Sequence, residues 1–128
     1  MNCNILMKSI VLWVDDMRNP HSDVWNSVAR NKKFVDEDSS IVWLCNYNEF
    51  VNWLNITIND KEVLWPTLIC FDHDLGEEKT GMDCAKYLVE FCMNNNMKLP
   101  NYTCHSSNPV GRENILSYLN SYKKSIEQ

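Results

Sequence analysis

The chain has no apolar run near the ~18 residues that cross a membrane, and no secretory n/h/c pattern at its start. Neither an integral nor a secreted protein is therefore expected, and a cytoplasmic location is the reading. There is no CxxC pair among the six cysteines, Cys3, Cys45, Cys70, Cys84, Cys92 and Cys104. Four of them sit inside apolar runs, so buried free thiols in a reducing compartment fit better than a disulfide framework, a zinc knuckle or thiol catalysis. Internal repeats, low-complexity tracts and Gly/Ser linkers are also missing, and residues 1–128 read as a single domain. Positive charge is scarce, with 12 Lys and Arg against 17 Asp and Glu and a net charge of -5. Such a chain has no general attraction for phosphate backbones, which disfavours nonspecific nucleic-acid binding. A small anion remains possible, because a helix N-terminus and one or two Arg suffice.

What is present is apolar and aromatic. Hydrophobic residues make up 45% of the 128, with five Trp, five Tyr and four Phe, enough for a real core and against disorder. KSIVLWV (8–14), SIVWLC (40–45) and PTLICF (66–71) are near-continuous apolar runs, and YTCHS (102–106) is a fourth, shorter strand. Phe50, Val51, Leu54 and Ile58 fall at helical spacing. The clearest helix runs from Thr80 to Asn95, with Thr80 and Asp83 as a capping pair. PVGRENILSYLNSYKK forms the last helix, and residues 21–35 hold a short one around Val24, Trp25 and Val28. Alternation of strand and helix predicts an α/β fold with a parallel sheet covered on both faces, whose doubly buried strands explain the unbroken apolar runs.

Ligands of such sheets bind beyond the carboxyl ends of the strands. Three polar clusters fall there: Asp15 and Asp16 with Arg18 after the first strand, Asp72, His73 and Asp74 after the third, and His105, Ser106, Ser107 and Asn108 after the fourth. In a flavodoxin-like order 2-1-3-4, all three meet at one edge. Asp15, Asp16, Asp72 and Asp74 would suit Mg²⁺ or Mn²⁺, whereas a set of two His with carboxylates would suit Zn²⁺ or Mn²⁺. Ser106 to Asn108 before Pro109 mark a helix N-terminus able to take phosphate, with Arg112 one turn in. His73 and His105 are candidates for acid–base work. Plainer roles stand beside these: an Asx-capped turn for Asp15-Asp16, an ordinary N-cap for Ser107 or Asn108, and solvent-facing positions for His21, Arg112 and the Glu77–Lys79 loop.

The motifs LWVDDMRNP, FDHDLG, TGMDCAKYL and CHSSNPVGRENI resemble the receiver (CheY-like) fold, and within it the receiver-like domains associated with processing of cyclic phosphates in bacterial and phage RNA-repair or nucleotide-conflict settings. The resemblance implies a three-layer sandwich with about four strands. It makes Asp15 and Asp16 the acidic pair that holds a divalent metal, and puts Asp72 at the phosphoacceptor position. The expected pattern departs from ordinary receivers in having no fifth strand to carry their Lys, in His73 directly after Asp72, and in HSSN where receivers carry Ser or Thr. Two-component signalling is disfavoured accordingly. The implied activity is metal-assisted hydrolysis of a cyclic phosphate, either a 2′,3′-cyclic RNA end or a cyclic nucleotide. In that reading His73, His105 and Asp72 are catalytic, and Arg18, Ser106, Ser107, Asn108 and Arg112 grip the phosphate. A metal-free His73–His105 pair, a module that sequesters a cyclic nucleotide without cleaving it, and a degenerate phospho-receiver are the alternatives. The substrate's base and linkage and the oligomeric state stay open.

Overall fold

The computed structural model describes residues 9–127; Cys3, and Lys8 at the head of the expected first run, lie outside them. The elements are β1 (Ile10–Val14), α1 (Asn26–Ala29), β2 (Ser40–Leu44), α2 (Tyr47–Thr57), β3 (Leu68–Phe71), α3 (Gly81–Asn95), β4 (Asn101–Cys104) and α4 (Pro109–Ile126). All four strands are parallel, in the order β2-β1-β3-β4. This is the receiver-like α/β arrangement that the alternation of elements predicts.

The sheet has two unequal faces, set by strand alternation. Leu12, Val14, Ile69 and Phe71 point to the side covered by α2, α3 and α4, where Phe50, Leu54, Leu88, Ile115 and Leu119 complete the main core. Val11, Trp13, Leu68 and Cys70 point the other way, into a smaller core closed by Ala29 with Trp25, Phe34 and Trp43 against it. Among the described residues, one short helix, α1, covers that second face. Trp13 alone, fully buried, contributes on the order of 2–3 kcal/mol through the water it excludes.

The helices start where their caps dictate. Asn46 accepts from the Glu49 N–H to open α2, and the Thr80 N–H donates to Asp83 Oδ2 at 2.8 Å to open α3. Asn96 then ends α3 in the left-handed conformation, which Asn tolerates better than most residues. Two expectations need adjusting. α1 is a single turn that begins after Val24 and Trp25, because Trp25 offers no capping side chain. β4 ends at Cys104, since Asn108 caps α4 and the chain must already be turning at Ser106. Among the described residues, Cys45, Cys70, Cys84, Cys92 and Cys104 are free, and burial pushes the thiols of Cys70 and Cys92 up to about 11. No described helix is long and apolar enough to cross a membrane.

Candidate functional site

The register brings the three clusters together. Val14 pairs with Phe71, and Phe71 with Cys104, so the next residues, Asp15, Asp72 and His105, lie side by side at the carboxyl edge. The ladder carries on beyond the strands: the Asp15, Asp72 and His105 N–H groups donate to the Leu44, Val14 and Phe71 carbonyls at 3.1, 3.0 and 2.9 Å. By alternation all three side chains share the thin face with Trp13 and Cys70.

Asp15 is fully buried and heavily engaged. Its Oδ1 accepts from the Met17 and Arg18 N–H groups, both at 2.8 Å, and its Oδ2 faces His105 Nε2 at 2.8 Å. Burial works to raise its pKa, but the bonds from His105, Arg18 and Met17 outweigh it and hold the carboxyl below its ordinary value. An ionised carboxylate only accepts, so His105 Nε2 carries a proton and donates. The His105 ring stacks on Trp13 with centroids 3.9 Å apart and planes 5° from parallel. Its side chain is 5% exposed, and its Nδ1 is buried without a hydrogen-bond partner among the described residues.

Arg18 ties the two strand ends. Its Nη1 lies 3.5 Å from Asp15 Oδ2 and 3.4 Å from Asp72 Oδ2, and its guanidinium stands 5.0 Å from the centre of the Trp25 ring. Two indole N–H groups brace the loop that carries it: Trp13 donates to the Arg18 carbonyl at 2.9 Å, and Trp43 to the Asp15 carbonyl at 2.7 Å. These tryptophans, level with each other on β1 and β2, were not singled out from the sequence. The signal was available, since Trp13 stands two residues before Asp15 and alternation puts it under the acid.

Asp15, Asp16 and Asp72 offer ligand oxygens that lie within 4.8 Å of one another. Burial and the charge of Asp15 raise the pKa of Asp72, and Ser106, His105 and Arg18 offset this only in part. Three carboxylates stand against one guanidinium, which lies 3.5 Å from Asp15 and 3.4 Å from Asp72, so the hard-oxygen donor set keeps an excess of negative charge, which fits Mg²⁺ or Mn²⁺. Asp15 has most of its lone pairs committed, so Asp16 and Asp72 are the freer donors. Gly76 keeps Asp16 in place: at φ 68°, it turns the loop so that any Cβ there would sit 2.7 Å from Asp16 Oδ2.

The remaining sequence candidates gather elsewhere. His73 follows Asp72 and therefore points to the opposite face, where its ring packs on Gly111 of α4; a Cβ at 111 would fall 2.3 Å from its Cγ. Its Nδ1 lies 3.1 Å from Asp74 Oδ1 and 3.5 Å from Asn108 Nδ2. Asp74, 64% exposed, lies outside the three-carboxylate cluster, because it sits on the loop beyond β3 and faces His73 and Asn108 instead. The four-carboxylate set thus reduces to three, and His73 and His105 do not form a pair. Asn108 is the N-cap of α4, accepting from the Gly111 N–H at 3.0 Å, with Pro109 next. The Ser106 hydroxyl accepts from the Asn108 N–H at 3.1 Å and also steadies Asp72. Ser107 and Arg112 are exposed.

A parallel sheet in this order, with an acidic pair after its first strand and a buried carboxylate after its third, defines a receiver-like domain. More narrowly, the chain belongs to the cyclic-phosphate processing receiver domain family, whose model matches residues 10–121. No curated protein and no solved structure matches the chain. The protein thus carries a receiver domain associated with cyclic-phosphate processing.

Proposed function

We propose that the domain hydrolyses a cyclic phosphate ester, with Asp16 and Asp72 as the principal metal donors, Asp15 behind them, and His105 as the proton-moving group. The supporting observation is the junction at Asp15, whose carboxylate lies in the acid cluster and also holds His105 Nε2 at 2.8 Å. In the neutral ring that bond fixes the proton on Nε2 and leaves Nδ1 as the base. Nδ1 takes a proton from the attacking water as its oxygen bonds to phosphorus. One ring P–O bond breaks, and the leaving alkoxide receives that proton, so the product is a phosphate monoester with a free hydroxyl. Arg18 orients the phosphate and faces its growing charge. Bound Mg²⁺ or Mn²⁺ supplies neutralisation of the phosphate charge at Asp16 and Asp72. His73 serves here to position α4 and takes no proton.

The test is a screen of 2′,3′-cyclic mononucleotides and cyclic dinucleotides with Mg²⁺, Mn²⁺ or EDTA. Turnover with metal, lost in EDTA and in D72A, is the expected result. D72A at the wild-type rate overturns the assignment, and full activity in EDTA removes the metal from it. One observation favours sequestration instead: His105 is 5% exposed, which limits its access to substrate. Recovery of intact ligand after incubation with metal and heat release would establish that second reading.

A further inference from the structure

Two cavities lie side by side along β4, which pairs only with β3, so its other edge is open among the described residues. One, of about 870 Å³, is lined by Thr103, Cys104 and His105 opposite Asn26, Arg30 and Lys32. The next, of about 640 Å³, is lined by Asn101 and Tyr102 opposite Lys33 and Phe34, with Lys98 and Lys123 at its rim. Consecutive residues of β4, and consecutive residues Lys32 and Lys33 across from them, pass from one cavity to the other, so they form one groove. It leads away from His105.

The charge along this groove is the reverse of that of the whole chain. Its lining holds five cations, Arg30, Lys32, Lys33, Lys98 and Lys123, and two carboxylates, Asp23 and Glu127. The rest of the sequence then has seven Lys and Arg against fifteen Asp and Glu. Two half-buried aromatic rings border it: Phe34, which packs against the smaller core and has Lys33 Nζ 5.4 Å from its centre, and Tyr102, which packs against the main core. Asn101 and His105 donate their N–H groups inward to Thr67 and Phe71, so alternation turns those of Tyr102 and Cys104 to the open edge. At the acid-cluster end, both Thr103 Oγ1 and His105 Nδ1 are buried without partners among the described residues.

We infer that the groove holds a single RNA strand, running along the free edge of β4 with its terminal phosphate at the Asp16–Asp72 cluster. The inference rests on the cyclic-phosphate reading of that cluster. A row of cations that follows the backbone, with the exposed parts of aromatic rings beside it, is what a single strand needs. A mononucleotide would occupy the cavity beside His105 and leave Lys33, Lys98 and Lys123 without a role. An acidic peptide added to the strand edge would use the cations but not the phosphate chemistry at the end of the groove. The net charge of -5 works against duplexes and long polymers, so recognition is confined to a strand end.

The test is fluorescence anisotropy on the full chain with Mg²⁺ and a short labelled oligoribonucleotide ending in a 3′-phosphate, which hydrolysis cannot consume. The 3′-mononucleotide and a poly-glutamate peptide serve as competitors. The oligonucleotide is expected to bind at least ~10-fold tighter than the mononucleotide and, for two or three neutralised phosphates, to lose ~10-fold between about 50 and 200 mM salt. The triple variant K33E/K98E/K123E, shown to be folded by circular dichroism, should lose that advantage and flatten the salt dependence. Equal affinity for oligonucleotide and mononucleotide, an unaffected triple variant, or displacement by poly-glutamate at equal concentration overturns the inference. Tight salt-sensitive binding together with no turnover of any cyclic phosphate refutes the hydrolytic reading alone.

Discussion

The substitution D72N isolates the charge that the acid cluster has to balance. Asp72 is buried, and its carboxylate shares the edge with Asp15 and Asp16, their ligand oxygens within 4.8 Å of one another. At an effective dielectric constant of about 20, each such pair repels by roughly 3–4 kcal/mol, while Arg18 at 3.4 Å returns about 5 kcal/mol. Two repulsions therefore exceed one attraction by about 2 kcal/mol, in keeping with the upward shift of Asp72 from burial and the charge of Asp15. Asparagine has nearly the same shape without the charge, so in EDTA at neutral pH D72N should be more stable than wild type by about 1–2 kcal/mol, or roughly 3–6 °C in Tm for a chain of this size. The sign with pH follows. Because the folded pKa is raised, native protein binds a proton that the unfolded chain does not, so between the two values stability falls as pH rises. The advantage of D72N should accordingly vanish as acid protonates Asp72. Divalent metal reverses the order: at a hundredfold excess over Kd it adds about 2.7 kcal/mol to wild type and little to D72N. Thermal melts of both proteins with EDTA and with Mn²⁺ would show the crossing. A D72N less stable than wild type in EDTA would mean that Arg18 already balances the cluster, and equal Mn²⁺ stabilisation of both would take Asp72 out of the metal site.

Three further outcomes follow from the same geometry. D15N should cost about 3 kcal/mol in urea unfolding at neutral pH, because it disrupts a buried, hydrogen-bonded charge; since the Asp15 pKa is lowered in the fold, that stability is present above the unfolded value and the deficit should shrink as pH falls through the folded one. G111A should destabilise by about 1–2 kcal/mol, the clash with His73 exceeding the gain in helix propensity, and H73A/G111A should recover most of it; no recovery would refute the packing role of His73. G76A should weaken Mn²⁺ binding, read by calorimetry, by at least ~10-fold beyond its effect on Tm, because the new Cβ displaces Asp16 as well as straining a turn at φ 68°.

The fold was legible because burial on both sides leaves a plain mark: IVLWV and LICF, the two central strands, are unbroken apolar segments, while the edge strand SIVWL, less buried, opens on an exposed Ser40. The strand ends were legible for the converse reason, since Asp15 and Asp72 interrupt the runs of β1 and β3, and His105 follows β4, at the edge where parallel sheets generally take ligands. Side-chain direction was less well read. Period-two alternation separates His73 from Asp72 and sends it to α4, yet adjacency in DHD suggested one cluster. The Asp15–His105 contact joins β1 to β4 across β3 and depends on register, which sequence patterning does not give. Nor does the whole-chain charge show that cations gather beside β4, because that needs residues 30–34, 98 and 123 in one place.

The unequal covering of the sheet explains how one small domain accommodates both a stable core and a polar edge with buried carboxylates. Three helices bury one face, and the largest apolar cluster is there. His73 and Gly111 belong to that side, where the imidazole packs on the first turn of α4. Among the described residues the other face has a single helical turn, and tryptophans stand where a further layer would: Trp13 under His105, Trp43 on the Asp15 carbonyl, Trp25 against Arg18. A second long helix over this face would fill the 870 Å³ beside His105 and close the edge of β4. Aromatic rings cover area with few torsions to order, and their N–H groups can hold a loop from below while leaving it open above. The parity of the strands then does the rest, because Asp15, Asp72 and His105 share the phase of Trp13 and Cys70 and so emerge on the side where there is room for a ligand.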